Sequence, residues 1–337
     1  MEHAITSFVA QIAAVHGVLL LVLIAILLLV LGKGADLLVD ESVLLARRSG
    51  IPTVIIGATV VSIGTTMPEA AISVFAALQG EPGLALGNAV GSIICDTGLI
   101  LGLACVIGEL PLDRAVVNRQ GWIQLGAGVL LVAISFLGGS HLPRWAGFLF
   151  LSLLVVYLWL SIRWAKRGER LPQSDGSAKE SMVMTGLKIA AAIGIVIASS
   201  RVLIPAIELA AQMAGIPEDI IAATLVAFGT SLPELVTAMT AVRKGHGELA
   251  VGNVIGADIL NVLFVAGAAC AVTPGGLAVP DTFRVLHFPA LLTILVAFRI
   301  GIFVSGKKLR RPFGYFLLAS YLAYLILQYA LFGGVGT

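Results

Sequence analysis

The chain alternates between long apolar stretches and short polar punctuation. Ten apolar stretches are each about as long as the ~20 residues a helix needs to cross a bilayer. Cut at Gly, Pro and charged positions, they run over 17–46, 51–78, 83–107, 121–138, 145–163, 184–213, 216–242, 248–272, 285–304 and 312–333. The stretches at 17–46 and 184–213 are long enough to tilt. Residues 1–16 read as a short interfacial segment, and the stretch around Pro172, Ser174, Asp175 and Gly176 as a polar linker. The predicted architecture is an all-α integral membrane protein of ten transmembrane helices. It has a first half over 1–164, a cytoplasmic linker over 165–182 and a second half over 183–337.

Composition supports this reading. Of 337 residues, 58% are hydrophobic and 12% charged, against about 25% charged in soluble domains, and the mean hydropathy is +1.03. A net charge of +2 leaves no field suited to nucleic acid. With the N-terminus outside, 17 of the 21 Lys and Arg fall on the inner side, and only Arg144 and Arg284 fall outside. This bias predicts both termini outside. Cys95, Cys105 and Cys270 form no CxxC pair and read as small packing residues. There is no Walker A motif, so ATP drive is not expected, nor is any cofactor.

Shifting the chain by 165 residues lays 50–102 on 215–267 without a gap, and 21 of the 53 positions are identical. The matches include Gly64, Thr65, Pro68 and Glu69 on Gly229, Thr230, Pro233 and Glu234, and Gly87, Asn88 and Gly91 on Gly252, Asn253 and Gly256. Apolar helices resemble one another by chance at Leu and Val, not at Gly, Pro, Glu and Asn in register. Five spans separate the copies, so they enter the membrane from opposite sides. The fold is thus expected to consist of two inverted-topology five-helix repeats, a construction used by secondary transporters, with the binding site at the repeat interface.

Glu69 and Glu234 fall mid-span, each directly after a proline, and Asp96 and Asp258 fall in the following span of each half. A carboxylate at the bilayer centre costs several kcal/mol unless neutralised. Lys33 and Arg201 are the only bases at comparable positions, so a cation partner is the economical reading. Thr65 and Glu69 share a helix face, with Thr66 beside them; Thr230, Ser231 and Glu234 repeat the pattern. Pro68 and Pro233 should free backbone carbonyls of the preceding turn. The next spans add Asn88, Ser92 and Asp96, and Asn253, Asp258 and Asn261. All these donors are oxygens, which favours Ca2+ or Na+ and disfavours zinc and copper. Asp36 and Asp40, one turn apart in the first span, read as a local ion pair with Lys33.

The stretches GTTMPE at 64–69 with GNAVGS at 87–92, and GTSLPE at 229–234 with GNVIGA at 252–257, resemble the two alpha-repeats of the cation/Ca2+ antiporter superfamily, in its prokaryotic Na+/Ca2+ exchanger branch. The resemblance covers both halves. It implies an antiporter, not an enzyme, that works as a monomer in a prokaryotic cytoplasmic membrane and normally extrudes Ca2+ in exchange for Na+. It implies a central Ca2+ site at Glu69 and Glu234 with oxygens of Thr65, Thr66, Thr230 and Ser231. It also implies Na+ sites that use the Ser62 and Ala227 carbonyls, Ser92 and positions 96 and 261, and spans one and six that slide over a rigid core. The chain departs from the family pattern at Ile93, Ala257 and Asp258, where an amide and a hydroxyl are lost and a carboxylate is gained. The alternative expectation is therefore a Ca2+ or other divalent-cation antiporter coupled to H+ or another monovalent cation.

Overall fold

The computed structural model describes residues 17–139, 141–167, 181–214 and 229–332. The expected interfacial segment at 1–16, most of the linker, and the first part of the stretch at 216–242 lie outside the described residues. The helices are α1 (Gly17–Ser49), α2 (Thr53–Thr65), α3 (Met67–Leu78), α4 (Pro82–Ile107), α5 (Arg114–Leu137), α6 (Arg144–Arg167), α7 (Met182–Met213), α8 (Leu232–Arg243), α9 (Gly247–Val272), α10 (Phe283–Val304) and α11 (Arg311–Phe332). Eight of them are long and apolar enough to cross a membrane, and the bent pair α2–α3 makes a ninth span. The chain is an integral membrane protein.

Two features depart from a purely helical ten-span reading. α5, the expected fourth span, starts at Arg114 rather than near 121, because Asp113 caps it: its side chain accepts from the backbone N–H of Ala115 at 3.1 Å and of Val116 at 3.2 Å. Two short antiparallel clips join loops that are far apart in sequence. Strand β1 (Leu110–Pro111) pairs with β4 (Lys308–Leu309), and β2 (His141–Pro143) pairs with β3 (Gly276–Ala278). The clips sit at opposite ends of α5 and tie each end of the first half to the second.

Burial follows the repeat. The most apolar windows of α4 and α9 are 72% and 89% buried, whereas those of α1 and α11 are 22% buried. α4 and α9 therefore form the buried axis, and α1 and α11 face lipid along most of their length. The close approach of α9 to α2 depends on glycines. A Cβ on Gly252 would lie 2.2 Å from the Val54 carbonyl oxygen, and one on Gly256 would lie 2.5 Å from both Ala58 Cα and Ser62 Oγ. Such small-residue stripes let helix backbones touch in a membrane, where apolar side chains gain little by leaving lipid.

α1 and α7 lie against each other. Towards α1's N-terminal end they carry two apolar clusters of their own, one of Leu31, Ala35, Val196 and Leu203 closed by Leu232 of α8, the other of Leu20 with Ala206. Only at the opposite end do Leu38, Val39 and Val43 of α1 and Ile189 and Ala192 of α7 merge into the main core. Ion pairs tie that end. Lys188 meets Glu41 at 3.1 Å, and Lys244, just past α8, meets Asp40 at 2.8 Å and Asp36 at 3.3 Å. The expected pairing of Asp36 and Asp40 with Lys33 is thus replaced by one with Lys244. The acids lie on the α1 face turned to α8, a contact that one-dimensional spacing does not reveal.

Two outcomes follow for stability. Gly256→Ala should destabilise by about 1–3 kcal/mol through enforced backbone shifts, whereas Gly126→Ala, with no described atom within 4 Å, should melt like wild type; thermal unfolding in detergent reads both. Lys244→Gln should cost under about 1 kcal/mol, since Lys244, Asp36 and Asp40 retain 28%, 42% and 62% side-chain exposure. A larger loss in the same assay would mark the tie as structural.

Candidate cation site

The site is assembled where two spans are broken. Thr66 (φ −81°, ψ −2°) ends α2, and α3 leaves at 45°. Its repeat equivalent Ser231 (φ −84°, ψ 10°) precedes α8 in the same way. The cause lies in the sequence: Pro68 and Pro233 are the second residues of α3 and α8. Neither has an N–H to offer the carbonyl four residues back, Gly64 or Gly229. Each break also turns a new helix N-terminus inward, with Glu69 and Glu234 in the first turn, where the helix dipole favours negative charge.

α4 and α9 supply the opposing wall. Asp96 opens a π-helical turn over Asp96–Ile100, and Asn261, its equivalent 165 residues later, opens another over Asn261–Ala266. π-turns inside α-helices re-aim side chains and concentrate at functional positions. Ser62, Thr65, Thr66, Glu69, Ser92, Asp96, Ser231, Glu234, Asn253, Asp258 and Asn261 are all buried, and Asn88 and Thr230 are half-buried. Ala227 lies outside the described residues.

Around the two breaks, polar contacts cross between the halves: Thr65 Oγ1 to Asn253 Oδ1, Thr66 Oγ1 to Glu234 Oε1, and Ser92 Oγ to Thr230 Oγ1, each at 3.4 Å. Asn88 has a different role. Its amide donates to the Glu69 carbonyl at 3.0 Å and to Ser73 Oγ at 2.9 Å, so it fixes α3 on α4 and holds the backbone of Glu69. Ser73 continues the tie by donating to the Ala85 carbonyl at 3.0 Å.

The cluster is rich in acceptors without donors. Both carboxylate oxygens of Glu69, both of Asp96, one each of Glu234 and Asp258, and Asn261 Oδ1 are buried without a hydrogen-bond partner. Buried polar atoms are normally satisfied, so this concentration in one place is exceptional. The acids also face one another: Glu69 lies in the field of Glu234 and Asp96, and Asp96 in that of Glu234 and Asp258. Arg201 on α7 contributes an attraction to Glu69. Among the described residues, no three His, Cys, Asp or Glu side chains converge as a metal-binding group by themselves. An ion held here therefore draws on hydroxyl, amide and carbonyl oxygens as well as carboxylates, the donor set of a hard cation.

Asp258 belongs to a separate network. Its Oδ2 accepts from Thr97 Oγ1 and from Gln124 Nε2, each at 2.5 Å, and Gln124 also reaches Thr97 at 3.4 Å. Neither Thr97 nor Gln124 is among the residues singled out from the sequence. Gln120 and Gln124, one turn apart in α5, were a readable signal: both are fully or almost fully buried, and a polar stripe inside a span seldom faces lipid.

Comparison with known proteins agrees with this architecture. The model of the sodium/calcium exchanger protein family matches residues 19–163 and 185–330. The chain is 34% identical to the inner membrane protein YrbG of Escherichia coli over 318 residues, covering 92% of this chain and 96% of that protein. It is 29% identical to the sodium/calcium exchanger MaX1 of Methanosarcina acetivorans, covering 92% and 98%. The solved structure of the sodium-calcium exchanger NCX_Mj superposes with a TM-score of 0.79 at 26% identity, over 92% of this chain and 99% of that one. With both halves matched and the doubled Pro-Glu breaks facing each other across one buried cluster, the chain belongs to the sodium/calcium exchanger family.

Proposed function

We propose that the protein is a secondary antiporter that exchanges Na+ for Ca2+ by alternating access and normally extrudes Ca2+. The observation that carries this reading is the set of unpartnered carboxylate oxygens on Glu69, Glu234 and Asp96, buried among hydroxyls and backbone breaks. In this reading Glu69 and Glu234 bind Ca2+ together with Thr65, Thr66, Thr230 and Ser231. Na+ takes positions served by Ser92, Asp96 and Asn261 and by the backbone around Ser62 and Ala227. Asn253 orients Thr65, and Asn88 holds Glu69 from behind. Membership of the sodium/calcium exchanger family and likeness to the exchangers MaX1 and NCX_Mj support Ca2+ and Na+ as the transported ions.

The mechanism follows from electrostatics. The acids repel one another in a region of low dielectric, so the site is stable when Ca2+ or a set of Na+ ions neutralises it. Ligands shift an equilibrium between inward-open and outward-open forms only by differential binding. A neutralised site can become occluded, whereas a bare one keeps its charges in contact with water. That asymmetry couples the two ions without their ever being bound together. The moving part is the α1–α7 pair, with its separate apolar clusters and partly exposed ties. The full topology in this reading is ten spans in two inverted repeats, both termini outside and one copy sufficient for transport. The two clips support it, since each joins loops that strict alternation puts on the same membrane face.

A second reading, coupling to H+ or another monovalent cation, is favoured by one observation: Asp258 adds a carboxylate near Asp96, and Ala257 lacks a hydroxyl. Flux measurements separate the two. In proteoliposomes loaded with Na+, radioactive Ca2+ uptake should exceed that in Na+-free vesicles at matched pH, and Glu234→Gln should reduce it at least ~100-fold, or about 3 kcal/mol of transport barrier, with an unchanged melting profile. Wild-type flux in that variant overturns the site assignment. Uptake that ignores Na+ and follows an imposed pH gradient establishes the second reading. Asp258→Asn should retain Na+-driven uptake, since its Oδ2 partners lie outside the Glu69–Glu234 pair.

A further inference from the structure

A furrow of about 720 Å3 runs between α10 and α11, away from the cation cluster. Its floor and walls are Thr293, Ala297, Gly301 and Ser305 of α10 and Phe313 and Phe316 of α11. It exists because Ala297 and Gly301 are small: a Cβ on Gly301 would lie 2.2 Å from the Phe313 ring, which rests directly on that glycine. The volume falls within the ~300–1,000 Å3 of small-molecule sites. From Leu292 to Ser305 the furrow extends about 20 Å along the helix, more than half of the ~30 Å hydrocarbon core. Its rims are Val296 (43% exposed), Ile300 (56%), Val304 (79%) and Phe316 (51%), an edge that only lipid tails can wet. The environment therefore decides the occupant of the apolar part: one acyl chain of one leaflet.

The mouth decides the headgroup. The furrow ends at Ser305 and Pro312, and the connecting loop carries Lys307, Lys308, Arg310 and Arg311. Lys308 is engaged by Glu109 at 2.5 Å, and this bond holds the Glu109 carboxyl below its usual range. Asp113 is committed to capping α5. Among the described residues, Lys307, Arg310 and Arg311 are exposed and form no ion pair. Arg310 and Arg311 also act on Glu109 through space, but this one carboxylate faces four bases, at 307, 308, 310 and 311; Arg311 and Pro312 are adjacent in the chain, so net positive charge stands at the open end of an apolar trough about one leaflet deep.

We infer that this furrow is a specific site for an anionic phospholipid, with one acyl chain lying along Ala297 and Gly301 and the phosphate headgroup at the Lys307–Arg310–Arg311 rim. Cationic side chains near a membrane surface each strengthen binding of anionic lipid by about fivefold, and a preformed trough adds selectivity that a flat basic patch lacks.

Native mass spectrometry of the delipidated full chain tests this with two probes, palmitoyl-oleoyl phosphatidylglycerol and palmitoyl-oleoyl phosphatidylcholine. Wild type should retain one phosphatidylglycerol at collision energies that strip phosphatidylcholine. Arg310→Gln and Arg311→Gln, at exposed positions, should each lower that preference about fivefold. Ala297→Phe, which fills the trough, should weaken retention of both lipids while leaving the cations in place. Equal retention of the two lipids by wild type overturns the headgroup assignment. If Ala297→Phe shows wild-type retention, the trough is not the site and the basic loop acts only as a diffuse surface. Should Ala297→Phe fail to fold, Ala297→Leu fills the trough more gently and is read in the same way.

Discussion

Carboxylates buried in the middle of a membrane protein are tolerated only if something positive accompanies them, and much of this structure serves that constraint. Glu69, Asp96 and Glu234 lie within one another's field, with unpartnered oxygens and Arg201 as the cation whose attraction reaches Glu69. Replacing such acids with apolar residues would stabilise the fold, because an uncompensated buried charge costs several kcal/mol. The protein instead retains the cost and surrounds the acids with structure that prevents them from escaping it. Asn88 ties down the backbone of Glu69, Thr66 reaches Glu234, and the glycine stripe of α9 leaves room for Ser62 to sit close against that helix. Held in this way, the acids keep carboxylate oxygens that no protein donor satisfies.

The proline breaks show how a backbone defect becomes a functional element. In an uninterrupted helix the carbonyls of Gly64 and Gly229 would be spent on the ladder, whereas those of Thr66 and Ser231 still accept from the N–H of Ala70 at 3.2 Å and of Leu235 at 3.0 Å. Pro68 and Pro233 interrupt the ladder, start a new helix inside the membrane and place an acid in each first turn. The freed groups are tolerated because they face protein rather than lipid. Having this arrangement twice, from two segments of related sequence, brings one acid from each half to the same buried cluster.

The repeat made most of the site legible in the sequence. Register picked out Glu69 with Glu234, the family resemblance added positions 96 and 261, and the paired π-turns at Asp96 and Asn261 show that the correspondence extends to local backbone geometry. What stayed hidden depends on contacts between elements. Lys244 replaces Lys33 as the partner of Asp36 and Asp40, because α8 ends beside α1, a fact of packing with no trace in local spacing. The Thr97–Gln124–Asp258 network joins three helices, and hydropathy averages pass over two glutamines in an apolar helix. The clips between β1 and β4 and between β2 and β3 are too short to register as strands and draw their partners from opposite halves of the chain.

Asp258 marks where this chain parts from a strictly symmetric exchanger. Its repeat counterpart, Ile93, is fully buried, so the two halves place a carboxylate and a methyl group at equivalent depth. The asymmetry is absorbed locally: Thr97 and Gln124 donate to one oxygen of Asp258, and hydrogen bonds to a buried carboxylate are roughly twice as strong as neutral ones. The other oxygen remains unpartnered, and its charge acts on Asp96, a residue of the first repeat. Any ion bound at Asp96 therefore feels a second-half carboxylate that the symmetric arrangement lacks. A local change in one repeat thus alters the field at Asp96, while its Oδ2 partners, Thr97 and Gln124, lie outside the Glu69–Glu234 pair.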